Sequence, residues 1–272
     1  MKKLSIITIC YNEPNLEKTC ESIVNQTWQN FEWIVIDGGS NEATQKIWHK
    51  YKYRINKFVS EKDNGRYDGC NKGIRHAEGE YVQFLNAGDL YHSNDVLEKV
   101  FSENQNADIL YGEQFTVHRD NLEKSYTTKL PEAISTKFLI TSNIHTPAVF
   151  IKRSLFEECG CFSEEYKIVS DYEKWIVFYK NGKVFKHIDL VVADFVLGGI
   201  SSNKKTEKLH HKERELVINK YFTKEEIKEA RRQYKDFSFF ERIFSVTNSY
   251  DGKRKVITIL GLHIKIRRKA RA

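Results

Sequence analysis

The sequence predicts an α/β protein built on a mostly parallel sheet with helices on both faces, followed by a helical C-terminal appendage. Three observations point there. Short β-branched runs alternate with helical apolar spacing through about residue 115, and the connections between them are short. The ends of four successive strands carry Asn12, Asp37, Asp63 and Asp89, at intervals of 25, 26 and 26 residues. Alternation of this kind calls for parallel strands covered by helices.

The elements follow in order. Leu4 to Ile9 is a near-continuous apolar strand, and Leu16, Cys20, Ile23 and Val24 then recur as one helical face. Phe31 to Ile36 forms the second strand, before a helix with Ala43, Ile47, Trp48 and Tyr51 on one side. Ile55 to Ser60 is a weaker third strand and leads to a helix near Tyr67 to Ala77. Tyr81 to Leu85 is the fourth strand, with Val96, Leu97, Val100 and Phe101 on the next helix, and Asp108 to Tyr111 reads as a fifth. Beyond residue 115 the pattern loosens: an irregular hairpin over Gln114 to Thr128, a strand at Ala148 to Ile151, and two short strands within Val184 to Val196. Lys204 to Tyr221 is weakly helical, and Thr223-Lys224-Glu225-Glu226 is a capping box opening a helix with Ile227, Ala230, Tyr234 and Phe237 on one face.

Composition narrows the class. With 272 residues, 40% of them hydrophobic, the chain can bury a sizeable core. The longest run free of Lys, Arg, Asp and Glu is the 14 residues Phe138 to Ile151, short of the about 20 apolar residues a membrane span needs. Met1-Lys2-Lys3 and the apolar run after it lack a small-residue cleavage site, so they read as a first strand rather than a signal peptide, in a cytosolic protein. The five cysteines have no CxxC spacing, which favours reduced thiols over a disulfide framework or zinc ribbon. Residues 251–272 hold eight Lys or Arg against Asp251, so this segment carries the chain's whole net charge of +7.

Polar residues at four strand ends form a site hypothesis, because ligands of open α/β sheets bind beyond the carboxyl ends of the strands. Asp and Asn are also good turn and N-cap residues, which explains any one of them but less readily all four. Neither a GxGxxG turn nor a GxxxxGK[ST] loop is present to cradle phosphate. A carboxylate-lined mouth binds phosphate through a divalent cation instead, Mg²⁺ or Mn²⁺, with oxygens from one or two carboxylates and from a diphosphate.

Four segments carry a family resemblance. Ser5 to Asn12 (SIITICYN), Ile34 to Ser40 (IVIDGGS), Asn71-Lys72-Gly73-Ile74 with Ala77 to Tyr81, and Phe84 to Asp89 (FLNAGD) resemble, in order and spacing over residues 4–115, the family 2 glycosyltransferases with the GT-A fold. The DGGS and N-x-G-D variants, Ser170-Asp171-Tyr172-Glu173 and His145 to Phe150 are similar to bacterial enzymes of O-antigen, capsule and lipopolysaccharide assembly. The resemblance implies that Thr8, Tyr11 and Glu13 surround the nucleoside, that Asp37 meets a uracil ring, and that Asp63, Arg66, Asp68 and Asn71 belong to the stretch closing over the nucleotide. It sets Asn86-Ala87-Gly88-Asp89 at the DxD position, with Asp89 as metal ligand. Asn86 replaces the motif's first acid, and an amide oxygen is a weaker ligand.

The resemblance also implies inverting transfer from a UDP-sugar with Asp171 as general base and Mn²⁺ or Mg²⁺ as cofactor. N-capping by Ser170 or Asp171 is the alternative for that position. His145 is a candidate contact for acceptor or leaving phosphate, against a hydrogen-bonded loop histidine. Lys72 and Asp68 form an i, i+4 pair, and Trp28, Trp33, Trp48 and Trp175 read as packing. Leu262, Ile264 and Ile266 alternate with His263, Lys265 and Arg267 before Arg268-Lys269-Ala270-Arg271. Such a tail suits an anionic membrane surface, at about 1 kcal/mol per charge, or is a solvated charge run.

These readings give a nucleotide-sugar half at 1–115, an acceptor-side half at 116–203 and a C-terminal region at 204–272. The expected enzyme is metal-dependent, peripheral on the cytoplasmic face of the inner membrane, and adds one sugar to a lipid-linked saccharide acceptor. A nucleotidyltransferase would carry a glycine-rich basic first turn, which Tyr11 to Asn15 lacks. Asp89 and Asp171 argue against a non-catalytic binding module. Only the tail speaks for nucleic acid, which is not expected as a partner.

Overall fold

The computed structural model describes residues 2–102, 106–118, 125–197, 206–232, 244–248, 254–259 and 262–267. Its main sheet has nine strands. Parallel strands β1 (Leu4–Cys10), β2 (Phe31–Asp37), β3 (Lys57–Ser60) and β4 (Tyr81–Phe84) lie in the order β3-β2-β1-β4. The order continues through β8 (Val149–Lys152), β6 (Ile109–Val117), β9 (Phe185–Val196) and β5 (Leu90–Tyr91), with β7 (Tyr126–Thr128) paired to β6. The pairings of β4 with β8, β8 with β6, β9 with β5 and β7 with β6 are antiparallel, and β6 with β9 is parallel. The α/β architecture is the expected one, while the second half makes the sheet mixed.

Side-chain parity explains why this sheet is buried on both faces. Along β1, Leu4, Ile6 and Cys10 enter one apolar layer and Ile7 the other. Along β2, Phe31, Trp33 and Val35 join the first layer, and Ile34 and Ile36 the second. Successive strand residues point to opposite faces, so a continuous apolar run fills two layers at once. The first layer is closed by α1 (Leu16–Val24), α2 (Glu42–Tyr51) and α4 (Val96–Phe101). The second is closed by α3 (Arg66–His76), α6 (Ser154–Cys159), α7 (Ser170–Lys180) and α8 (Glu207–Tyr221), with α5 (Thr136–Thr141) adding Leu139 and Ile140. Trp33, Trp48 and Trp175 are buried in these layers, as packing residues.

The expected capping box forms, with Thr223 N donating to Glu226 and Glu226 N to Thr223 Oγ1, and Asn41 caps α2 by accepting from Thr44 N. The segment expected as two short strands over Val184 to Val196 is instead one strand, β9, whose register against β6 shifts on either side of Glu113. Strand β5 is an addition that the sequence pattern did not mark. Helix covers 207–221 and 224–232; an antiparallel sheet of β10 (Phe244–Asn248), β11 (Arg254–Ile259) and β12 (Leu262–Arg267) adds to that appendage. Tyr234, Phe237 and Arg268-Lys269-Ala270-Arg271 lie outside the described residues.

One buried latch joins the parallel strands to the turn before β4. Glu32 Oε1 accepts from Ser5 Oγ at 2.5 Å, Glu78 N at 2.7 Å and Gly79 N at 3.1 Å. Gly79 is pressed so closely on β1 that a Cβ would sit 2.6 Å from the Ser5 backbone nitrogen. Gly79→Ala is therefore expected to lower stability by about 2–4 kcal/mol, read as an earlier midpoint in urea unfolding with unchanged m-value.

Candidate functional site

The carboxyl ends of β2, β1 and β4 form one mouth, and polar side chains collect there. Asp37, the last residue of β2, is fully buried. Its Oδ2 accepts from Ser40 N at 3.0 Å, Gln45 Nε2 at 2.7 Å and Ser60 Oγ at 2.7 Å, while Oδ1 is buried without a partner. Burial works to raise its pKa, but the hydrogen bonds outweigh it and hold the carboxyl below the ordinary aspartate value. Tyr11 is 68% exposed. Its ring and Asp63 both flank Gly38, where an added Cβ would lie 2.7 Å from Asp63 Oδ2. Asn12 ties this edge together by donating its N–H to Ser40 Oγ and accepting from Asn41 N.

The turn after β4 is built from Asn86 to Asp89. Ala87 N donates to Ile9 O, Gly88 N to Thr19 Oγ1, and Asp89 N to Asn86 O. Gly88 has φ +98° and an added Cβ would sit 3.2 Å from the Glu13 carboxyl carbon, so a left-handed turn packed on Glu13 requires glycine here. Asn86 Oδ1 is buried without a partner. Asp89 is 7% exposed, and among the described residues no side chain donates a hydrogen bond to its carboxylate. Burial pushes its pKa up to about 7, with Arg66 opposing and Glu13 adding to the rise.

Asp171 approaches from α7. Its Oδ1 lies 3.0 Å from the Tyr67 hydroxyl, which also reaches Ile168 O at 2.6 Å, and accepts Tyr172 N at 2.9 Å. Its Oδ2 accepts from Thr146 Oγ1 at 2.6 Å, and Arg66 Nη2 lies 3.8 Å away. Val169 occupies the N-cap of α7 with no side-chain cap, so neither Ser170 nor Asp171 is the cap residue. Burial works against the charge of Arg66, but Tyr67, Asp171, Cys70 and Asp89 outweigh it and hold its pKa above the ordinary arginine value. Burial also pushes His145 toward its neutral form, while Asp171 pulls the other way.

Three expected residues are directed elsewhere. Thr8 shares the parity of Ile6 and Cys10, so it faces the first helical layer, where its fully buried hydroxyl accepts from Trp33 Nε1 at 3.0 Å. Asn71 clamps α3 to the 162–164 segment: its amide donates to Phe162 O and Glu164 Oε1 and accepts from Phe162 N. Asp68 serves the turn before α3, accepting Asn64 N at 2.9 Å and pairing with Lys72 at 3.3 Å. The backbone bond from Asn64 is the leading reason that its pKa lies below the ordinary value. By contrast, Arg66, Asp89, Asp171 and His145 act on one another electrostatically, and Glu13 and Gly88 adjoin them. Thr146 and Tyr67, which hold Asp171, were not among the expected site residues, although both lie in motifs that stand out in the sequence.

The oxygen set at Asn86 and Asp89 fits a hard divalent cation that takes most of its ligands from a bound diphosphate and water. Among the described residues no group of three or more His, Cys, Asp and Glu could hold a metal. The orphaned Asn86 oxygen and the carboxylate without a hydrogen-bond donor are what a shared cation would satisfy.

Comparison with known proteins decides the family. Residues 5–160, more than half of the chain, match glycosyl transferase family 2. The chain belongs to that family, and it is a glycosyltransferase. An uncharacterized glycosyltransferase of Rickettsia typhi is 27% identical over 220 residues, covering 77% of this chain and 69% of the relative. A PGL/p-HBAD biosynthesis glycosyltransferase of Mycobacterium tuberculosis is 28% identical over 208 residues, 73% of this chain and 78% of the relative. The crystal structure of Staphylococcus aureus TarS 1-349 in complex with UDP-GlcNAc is similar in fold, with TM-score 0.64, 18% identity and coverage of 86% of this chain and 73% of TarS 1-349. A mannosyltransferase of Pyrobaculum calidifontis in complex with GDP-Man and Mn²⁺ aligns with TM-score 0.56 and 19% identity, over 74% of this chain and 58% of that one. The GT-A fold is thereby shared.

The raised pKa of Asp89 has a stability consequence in EDTA. The fold binds the Asp89 proton more tightly than the unfolded chain does. The associated stability is present below about pH 4 and is lost as the pH rises through about 7. Asp89→Asn removes this dependence. It is expected to raise stability by about 1–3 kcal/mol relative to the parent at pH 8.5 and to be near neutral at pH 4, read from urea melts at the two values.

Proposed function

We propose that this glycosyltransferase takes a UDP-sugar as donor and transfers the sugar, with inversion, to a hydroxyl of a lipid-linked saccharide in bacterial surface polysaccharide synthesis. The observation that carries the donor reading is a set of acceptor atoms without hydrogen bonds among the described residues, beyond the ends of β2 and β4 on either side of β1: Asp37 Oδ1, Asn86 Oδ1 and the Asp89 carboxylate. A uracil ring has an N–H to offer Asp37, and a metal-bound diphosphate suits the Asn86 and Asp89 end. TarS, whose fold is similar, forms complexes with UDP and with UDP-GlcNAc.

In this reading residues 1–115 hold the donor, residues 116–203 the acceptor, and Tyr11 and Glu13 frame the nucleoside with Asp63 and Arg66. Asp171 Oδ2 removes the proton of the acceptor hydroxyl as that oxygen attacks the anomeric carbon. The bond from the anomeric carbon to the diphosphate oxygen breaks, and UDP leaves with its electron pair. Asn86 and Asp89 would hold Mn²⁺ or Mg²⁺, which would supply electrostatic stabilisation of the departing diphosphate. Thr146, Tyr67 and Tyr172 N keep the Asp171 carboxylate in one orientation, and His145 reaches the acceptor or leaving phosphate.

Calorimetric titration of UDP tests the reading. The parent is expected to bind UDP with Mn²⁺ and to lose affinity in EDTA, Asp89→Ala to lose the metal-dependent part, and Asp171→Asn to bind UDP yet transfer at least about 10³-fold more slowly. No UDP binding in either condition overturns the UDP assignment, and undiminished transfer by Asp171→Asn overturns the base.

The tail supports a peripheral position on the cytoplasmic face of the inner membrane. Among the described residues no helix is long and apolar enough to cross a membrane. In the β11–β12 register Arg254 opposes Arg267 and Val256 opposes Lys265. Removing residues 253–272 is expected to abolish sedimentation with anionic vesicles while leaving UDP affinity unchanged; unchanged sedimentation overturns the docking role.

A further inference from the structure

The candidate site contains a cation that belongs to the chain itself. Arg66 opens α3, its guanidinium 5.5 Å from the Tyr67 ring centroid and its Nη2 3.8 Å from Asp171 Oδ2. The two oxygens of Asp171 are used unequally. Oδ1 accepts from Tyr172 N at 2.9 Å and lies 3.0 Å from the Tyr67 hydroxyl, whose single proton is shared with Ile168 O at 2.6 Å. Oδ2 has one donor, Thr146 Oγ1 at 2.6 Å, which leaves a single lone pair on the oxygen that Arg66 faces. At 3.8 Å the Arg66 contact is an ion pair without a hydrogen bond, and such a contact is readily exchanged.

The other titratable groups around Asp171 do not offer a competing charge. On α3, burial keeps the Tyr67 hydroxyl protonated and pushes the Cys70 thiol up to about 12. His145, before the turn that carries Thr146, and His210 on α8 are both pushed by burial toward the neutral form. Arg66 is therefore the principal cation at the base. Its charge acts on Asp89 as well as on Asp171, which its Nη2 approaches to 3.8 Å.

We infer that Arg66 is a positioning residue that covers Asp171 in the donor-free protein and moves to the diphosphate when the nucleotide sugar binds, opening the free lone pair of Oδ2 to the acceptor hydroxyl. The inference rests on the reading of the donor as a UDP-sugar and of Asp171 as the base. A diphosphate offers the guanidinium short, bidentate, charge-assisted hydrogen bonds, against one 3.8 Å contact with Asp171. The exchange imposes an order: the free lone pair of Oδ2 is open to an acceptor hydroxyl only with donor in place. It also makes Asp171 a competitor of UDP for Arg66, and that competition is measurable without any acceptor.

The test is a double-mutant cycle read as UDP affinity by calorimetry in Mg²⁺, with thermal melts verifying that each variant is folded. Asp171→Asn is expected to tighten UDP binding about five-fold, equivalent to about 1 kcal/mol, because Arg66 is released. Arg66→Met is expected to weaken UDP about ten-fold and to abolish the tightening by Asp171→Asn. Arg66→Lys, which keeps a cation, restores part of the coupling and serves in its place where the methionine variant does not fold. Equal tightening by Asp171→Asn with and without Arg66 overturns the exchange, since it reports only relief of negative charge. Unchanged or weaker UDP binding in Asp171→Asn overturns it as well. A parent that binds no UDP overturns the donor reading beneath the inference, and this outcome is separate because it is read before any variant is compared.

Discussion

Burial of the parallel strands on both faces is the constraint on which the rest of the molecule depends. Once β1, β2 and β4 send alternate residues into two apolar layers, a charged or polar group inside a strand has to be satisfied within the core. Glu32 meets that condition with three donors, and Gln83 does so by donating to Pro147 O at 2.8 Å and accepting from Tyr91 at 2.5 Å. Reactive groups are left to the strand ends. The Gln83 bond has a further effect, because it fastens the middle of β4 to the short 146–148 turn whose Thr146 donates to Asp171. The two halves of the candidate site are joined through the sheet interior as well as across the cleft.

Two aspartates beyond the ends of β2 and β4, the strands that flank β1, show how the same side chain is given opposite character. Asp37 is fully buried, yet three donors on one of its oxygens keep it ionised with the other oxygen free. Asp89 is nearly as buried, and its charge is opposed by desolvation and by Glu13, with relief only from Arg66. The first environment suits a fixed acceptor for a neutral N–H group. The second suits a carboxylate whose charge is completed by something that arrives.

The sequence made the first half of the chain legible because its signals are local. Strand runs, helical faces, the Thr223 box and the regular spacing of strand-end acids all depend on residues a few positions apart. The parity that turns Thr8 toward Trp33 was also readable, since Leu4, Ile6 and Cys10 mark the same face. What escaped depends on distant pairing. Tyr67 and Asp171 are 104 residues apart, Thr146 and Asp171 are 25 apart, and Asn71 meets Phe162 across 91, with no periodicity to announce any of these meetings. The mixed second half escaped for a related reason: β8 and β6 insert beside β4 in an order that strand propensity does not encode.

Strand β5 begins directly after Asp89 and pairs through Leu90 and Tyr91 with Asp194 and Ala193 at the far end of β9. During synthesis, a chain that has emerged only as far as β6 already contains the partners that pair β1, β2, β3 and β4, all close in sequence. It lacks the strand that fixes the other side of the Asp89 turn. The turn is thus finished about a hundred residues after its own translation, when the β9 end is delivered. A chain ending after β6 would lack the β9 pairing that holds the residues directly after Asp89.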